Sequence, residues 1–124
     1  MADAKERSLV LRAHDAFYDA VRAGDIVRLD ALISNHRPVL VGHPGWPVQH
    51  GRADVMASWA EIFVSGGPPD IWPLDEHVMM TDHTALVVCT EIVGSTQLTA
   101  TNVFVREAGD WYLTQHMAAR LFPH

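Results

Sequence analysis

Lysine and cysteine are nearly missing from this chain. Only Lys5 among the 9 Lys+Arg residues is a lysine, and 15 Asp+Glu residues leave a formal net charge of −6 over 124 residues. A phosphate backbone repels such a chain, so no nucleic-acid partner is expected. An anionic membrane surface is disfavoured on the same ground. The one cysteine, Cys89, excludes an intrachain disulfide and a cysteine-based zinc cluster. The apolar run Leu86 to Cys89 is far too short to span a bilayer. The opening Met1-Ala-Asp-Ala-Lys-Glu-Arg7 lacks the apolar stretch of a secretory signal, so a cytoplasmic location is expected.

Familiar catalytic strings are missing too. There is no H-E-x-x-H, no G-x-S-x-G, no G-x-G-x-x-G and no phosphate-binding glycine loop, so no cofactor is expected. His43 with His50, and His77 with His83, lack the i, i+3 or i, i+4 spacing that would share one helix face, so no metal is expected. What is present is ordinary bulk: 48% hydrophobic residues, enough for one globular domain over 1–124. His 8 and Trp 4 stand out in so small a chain.

The order of elements is readable. Asp3 and Glu6 have capping-box spacing, with Asp3 in the capping position. Val10, Ala13, Phe17, Ala20 and Val21 then recur at helical spacing, predicting a long helix to about Arg22. Gly24 can close it and Asp25 can cap a second helix with Ile26, Leu29, Leu32 and Ile33 inward. Val39-Leu-Val41 reads as a short strand, and the prolines of His43-Pro-Gly-Trp-Pro47 deny that stretch regular structure. Val55, Trp59, Ile62 and Phe63 predict a third helix, ended by Gly66-Gly-Pro-Pro69. The remainder reads as strands at about 70–80, 84–94, 96–106 and 110–118, with turns at Gly94-Ser95 and Glu107-Ala-Gly-Asp110. Helices segregated from an antiparallel meander point to an α+β fold.

In the strand from Thr84, both alternating sets are largely apolar. Ala85, Val87, Cys89 and Val93 share one face, and Leu86, Val88 and Ile92 the other. Helices cover one face of a sheet, so a second copy of the chain is expected on the other. Cover from the chain's own helices and C-terminal tail is the alternative.

Glu91 interrupts the first set. A buried carboxylate must be paired, protonated or at a wet cavity. It is either a general acid/base or a structural partner for a buried Trp indole, His or Asn. Asn102, between Ala100 and Phe104 on one strand face, needs buried partners as well. His116 shares a face with Tyr112 and Thr114 by strict alternation, opposite Trp111, Leu113, Gln115 and Met117, unless a bulge intervenes. His43 and Trp46 lie on the proline-rich loop, where a histidine can act as a base near neutral pH. Trp59 is core or a ligand platform. Tyr18 lies beside the apolar stripe of the first helix. Trp46, Trp59 and Trp111 are expected to converge on one interior.

Several strings together resemble the nuclear-transport-factor-2-like superfamily, above all its SnoaL-like and ketosteroid-isomerase-like domains. They are Phe17-Tyr-Asp-Ala-Val-Arg-Ala-Gly-Asp25, His43-Pro-Gly-Trp46, Gly51-Arg52 with Ser58-Trp-Ala-Glu-Ile-Phe63, Ala100-Thr-Asn-Val-Phe104, and Gly109-Asp-Trp111. The resemblance implies a cone: a curved antiparallel sheet wrapped around the long first helix, with two further helices, a cystatin-like α+β roll. It also implies homodimers through the sheet's outer face and a pocket at the open end. In ketosteroid isomerases an aspartate base follows the first strand, where this chain has His43. Their enolate-stabilising tyrosine corresponds to the stretch of Tyr18. Their protonated late-strand aspartate corresponds to Thr101 and Asn102. SnoaL-like proteins carry a histidine-rich string after the tryptophan. Here it is Thr114-Gln-His-Met-Ala118, with His116 alone.

The expectation is therefore a small hydrophobic carbonyl compound held by Tyr18, Trp46, Trp59 and Asn102. His43, Glu91 and His116 would do proton-transfer chemistry of the isomerase, dehydratase or cyclase type, without cofactor or metal. A non-catalytic dimer that binds a metabolite or a protein is the alternative.

Overall fold

The computed structural model describes residues 2–121. Helix α1 spans Ala2–Ala23, α2 Ile26–Leu32 and α3 Arg52–Ser65. The strands are β1 Leu40–Gly42, β2 Gln49–His50, β3 Ile71–Met80, β4 Thr84–Val93, β5 Thr96–Glu107 and β6 Asp110–Arg120. They form one sheet in the order β2-β1-β6-β5-β4-β3. None of the described helices is long and apolar enough to cross a membrane.

Helix α1 already includes Asp3 in its first turn, so Asp3 does not take the expected capping position. Val10, His14, Phe17, Tyr18 and Val21 form its buried stripe. Their spacing of four, three, one and three is helical, and it admits a histidine that a purely apolar reading passes over. Gly24 closes the helix in the left-handed region, at φ 63°. A Cβ there would also meet Pro68 Cγ at 2.5 Å. Asp25 caps α2 by accepting from the Arg28 amide at 3.0 Å.

Strands β3 to β6 form the expected antiparallel meander. The sheet as a whole is mixed, because β1 pairs parallel with β6, Val41 beside His116. After β1 the chain crosses through α3 to the far edge and returns, so β6 arrives running the same way as β1. Strand β2 was not expected. Its two residues pair antiparallel with β1 and turn His43–Pro47 into a hairpin loop.

Two irregularities re-aim side chains. Between Val103 and Phe104 the β5–β6 register slips, with Phe104 opposite Leu113 and Val103 opposite Gln115. Thr114 is the extra residue, so Leu113 and His116 both point inward. Strict alternation had put these two on opposite faces, and the bulge corrects it. The β3–β4 register slips likewise between Leu74 and His77. Asp75 sits there at φ 53°, left-handed for a non-glycine residue, and Glu76 is turned toward α1.

The inner face of the sheet then reads Ala85, Val87, Cys89 and Glu91 on β4, Leu98, Ala100, Asn102 and Phe104 on β5, and Trp111, Leu113 and His116 on β6. Helix α1 lies across this face. Arg7 donates to the Val78 carbonyl and Arg22 to that of Ile71, both at 2.8 Å, so α1 is tied to edge strand β3 near both ends.

Candidate functional site

A cavity of about 330 Å³ opens between the β1–β2 loop, α3 and the ends of β3 to β6. His43, Trp46, Trp59, Glu91 and His116 line it, with Arg120 at its edge. The loop supplies His43 and Trp46 because β2 pins its far end. Helix α3 supplies Trp59, four residues after buried Val55. Four of these side chains pack as a ring system. The His43 ring stands edge-on to Trp59 at 4.5 Å and to Trp46 at 5.2 Å, and Trp59 lies 5.8 Å from His116.

Tyr18 and Asn102, expected as direct ligand contacts, stand behind this cavity and do not line it. The Tyr18 hydroxyl donates to Glu91 Oε2 at 2.6 Å. Asn102 Nδ2 lies 2.9 Å from the Tyr18 oxygen and 2.9 Å from His14 Nε2. Asn102 Oδ1 lies 2.5 Å from His116 Nδ1. The hydrogen-bond partner of Glu91 is thus the Tyr18 phenol and not an indole, amide or imidazole.

The partners assign the protons. With its hydroxyl hydrogen on Glu91, Tyr18 can only accept from Asn102. The amide oxygen of Asn102 can only accept from His116, so His116 carries its proton on Nδ1. Its Nε2 then presents a lone pair 3.9 Å from Glu91 Oε2. At the mouth, Ser58 Oγ donates to the Val55 carbonyl at 2.7 Å and so accepts from His43 Nε2 at 2.8 Å. His43 Nδ1 is left as its basic nitrogen.

Burial sets the charges. Desolvation pushes Glu91 up to about 7, although the Tyr18 hydrogen bond opposes it. Desolvation lowers His116 to about 3, helped by His43 and His14, and lowers His43 to about 4. The site therefore holds neutral imidazoles around a carboxyl group that exchanges its proton near neutral pH. Burial likewise raises the Cys89 thiol to about 11, which keeps it unreactive.

One polar atom stands apart. Trp59 Nε1 is buried and has no hydrogen-bond partner among the described residues. Trp111 does not join it, contrary to the expected convergence. Trp111 lies at the opposite end of α1, where its indole donates to Glu6 Oε2 at 2.8 Å. A larger depression of about 490 Å³ opens there, beside Arg7, His83 and Arg106. Its Glu6 is already engaged by Trp111 and by Arg106 at 3.2 Å.

Sequence reasoning missed His14, Ser58 and Glu76. His14 and Ser58 were within reach, since each falls on the helical stripe of its helix. Glu76 was not, because only the bulge at Asp75 aims it inward. His14, Asp15 and Glu76 bring ligand-type atoms within 4.8 Å of one another. The pairs His43/His50 and His77/His83 form no such group among the described residues.

Comparison with known proteins agrees with this architecture. The model of the SnoaL-like domain matches residues 10–122. The chain belongs to the SnoaL-like domain family. A provisionally assigned dehydratase of the NTF2-like family from Streptomyces avermitilis is 31% identical. It superposes with a TM-score of 0.88 over 97% of this chain and 99% of its own. A provisionally assigned calcium/calmodulin-dependent protein kinase type II association domain from Thiobacillus denitrificans is 28% identical, with a TM-score of 0.80 over 89% and 93%. A cystatin-like protein from Nostoc punctiforme shares the fold at 10% identity, with a TM-score of 0.78 over 95% and 92%. No curated protein matches the chain.

Proposed function

We propose that this protein binds a small apolar carbonyl compound in the mouth cavity and moves a proton on the carbon next to the carbonyl. The observation that carries this is Glu91, a carboxyl with proton affinity near neutrality, at the inner wall of a cavity that Trp59 also lines, its buried Nε1 without a partner among the described residues. Glu91 as carboxylate takes the α-proton, and the carbonyl oxygen accepts from Trp59 Nε1 as negative charge develops on it. In a dehydration, the enolate re-forms its carbonyl, expels the β-hydroxyl, and Glu91 returns the proton to make water. In an isomerisation, Glu91 returns the proton to the γ-carbon instead. His116 Nε2 and His43 Nδ1 accept from hydroxyl groups of the bound compound. Tyr18 and Asn102 hold Glu91 and His116 in place. The resemblance to a provisionally assigned dehydratase supports this reaction class.

The test is solvent exchange. Wild-type protein in D2O should deuterate the α-carbon of β-hydroxy carbonyl compounds or enones drawn from a small panel, read by proton NMR. Glu91→Gln keeps an oxygen for Tyr18 and should slow exchange by about 100-fold or more. Equal exchange in both proteins removes Glu91 as the base.

A second reading is a non-catalytic assembly module, favoured by the likeness to a provisionally assigned association domain. Under either reading the outer face of β4, with half-buried Leu86, Val88 and Ile92, is the surface for a second copy. Sedimentation at micromolar concentration should give twice 13.8 kDa, and a purely monomeric species would refute the pairing.

A further inference from the structure

We infer that Glu76, outside the cavity on edge strand β3, is a positioning residue that, acting through His14 and Asn102 and alongside Tyr18, fixes which nitrogen of His116 carries the proton. The inference deepens the proposed site, because this chain and Tyr18 together hold the Asn102 amide in the sense that leaves His116 Nε2 its lone pair.

The polarity runs one way. His14 Nδ1 lies 2.5 Å from Glu76 Oε2, and a carboxylate can only accept, so Nδ1 carries the His14 proton. His14 Nε2 is then a lone pair and accepts from Asn102 Nδ2 at 2.9 Å. The second amide hydrogen goes to the Tyr18 oxygen at 2.9 Å. The amide nitrogen thus faces α1 and its oxygen faces β6, where His116 Nδ1 must donate at 2.5 Å. Turning the amide over would set its oxygen against the His14 lone pair and the Tyr18 oxygen. His14, Asn102 and His116 are all buried, where an unpaired polar group is costly and the chain's polarity is held strongly.

Glu76 reaches His14 only because β3 bulges there. Asp75 holds a left-handed conformation that non-glycine residues seldom adopt, and it lies next to the residue whose aim it sets. Asp15 of α1 stands beside the pair and completes the group within 4.8 Å. A divalent cation on His14 Nδ1 would force the His14 proton to Nε2, turn Asn102 over and reverse the whole chain. The cation and the relay are therefore mutually exclusive.

The experiment is long-range nitrogen–proton NMR of the histidine rings in the uniformly nitrogen-15-labelled full chain at pH 7. The loss of signals in His116→Asn assigns His116. In wild type, His14 and His116 should both show the Nδ1–H form. Glu76→Met keeps the shape and removes the acceptor, so His14 should shift toward mixed tautomers, and His116 should follow it in Glu76→Met/Tyr18→Phe, where the second anchor of the Asn102 amide is gone too, but not in Tyr18→Phe alone. Glu76→Gln keeps an acceptor oxygen and should restore the wild-type pattern. A His116 ring unchanged in a folded Glu76→Met/Tyr18→Phe, or carrying its proton on Nε2 in wild type, overturns the inference. So does a shift of His14 Nδ1 with one equivalent of zinc chloride. If Glu76→Met does not fold, the wild-type tautomers, the zinc titration and Glu76→Gln still decide it. None of these readouts needs a substrate, so the inference can stand where the deuterium-exchange test fails, and the reverse.

Discussion

His14 and His43 are both buried imidazoles that desolvation lowers to about 4, and Trp111 and Trp59 are both largely buried indoles. The first of each pair is fully engaged: His14 between Glu76 and Asn102, Trp111 on Glu6. The second is not. His43 uses one ring nitrogen on Ser58, and Trp59 Nε1 has no partner among the described residues. Both of the less engaged members line the mouth cavity. A fully paired buried group is a structural element, whereas an unpaired one costs stability and persists where something else uses it. The difference separates a rigid polar interior from a receptive mouth within one small cone.

The largest expected effect breaks the interior. Asn102→Leu removes the partner of His14 Nε2, the Tyr18 oxygen and His116 Nδ1 at once. Leaving two or three buried polar groups unpaired should cost about 3–5 kcal/mol of unfolding free energy. Urea denaturation checks it, and a loss within about 1 kcal/mol would mean that the interior chain is not structural.

Next comes pH. His14, His43 and His116 lie at about 4, 4 and 3 against an ordinary 6.5. The unfolded chain then takes up more protons below pH 6.5, and the stability that these groups contribute is lost as pH falls toward 4. Glu91 is displaced oppositely, from 4.5 to about 7, so its contribution is greatest below 4.5 and is lost as pH rises through 7. Three groups outweigh one. Stability should climb by about 2 kcal/mol per unit between pH 4.5 and 6.5, then level off near pH 7. Glu91→Gln should steepen the climb. A flat profile from pH 4.5 to 6.5 would contradict neutral buried imidazoles in both regions.

The smallest effect sharpens the mouth. Trp59→Phe removes a donor that no described protein atom uses but shrinks a buried side chain, so stability should fall by about 1–2 kcal/mol. Affinity for a carbonyl ligand should fall about tenfold, near the value of one hydrogen bond. Calorimetry with a compound identified in the exchange panel decides it. Unaltered affinity would leave Trp59 as packing alone.

Much of this was legible in the residues. The Gly24–Asp25 junction, the meander and the inward Glu91 follow from local rules of capping and alternation. The resemblance to SnoaL-like domains brought in the cone. What escaped is instructive. The facing of His116 stayed open because a single extra residue at Thr114 inverts the alternation, and no residue type announces it. His14 and Ser58 were overlooked because each stripe was traced through apolar residues only, although both fall at helical spacing. The parallel pairing of β1 with β6 depends on contacts between segments far apart in sequence, which periodicity does not encode. The proton assignments depend on three-dimensional partners and could not be read from any string.

That parallel pairing also dictates an order of assembly. Leu40 meets Gln115, and Val41 meets His116. The loop bearing His43 thus has its sheet neighbour supplied by a strand that ends at Arg120. On the ribosome, α1, α2 and the β1–β2 hairpin are made well before that neighbour exists. They must wait, with apolar faces uncovered, until β6 has emerged and closed the longest loop in the sheet. The mouth therefore cannot be complete before β6 has emerged, and the same strand that closes the interior on β5 brings His43 alongside His116.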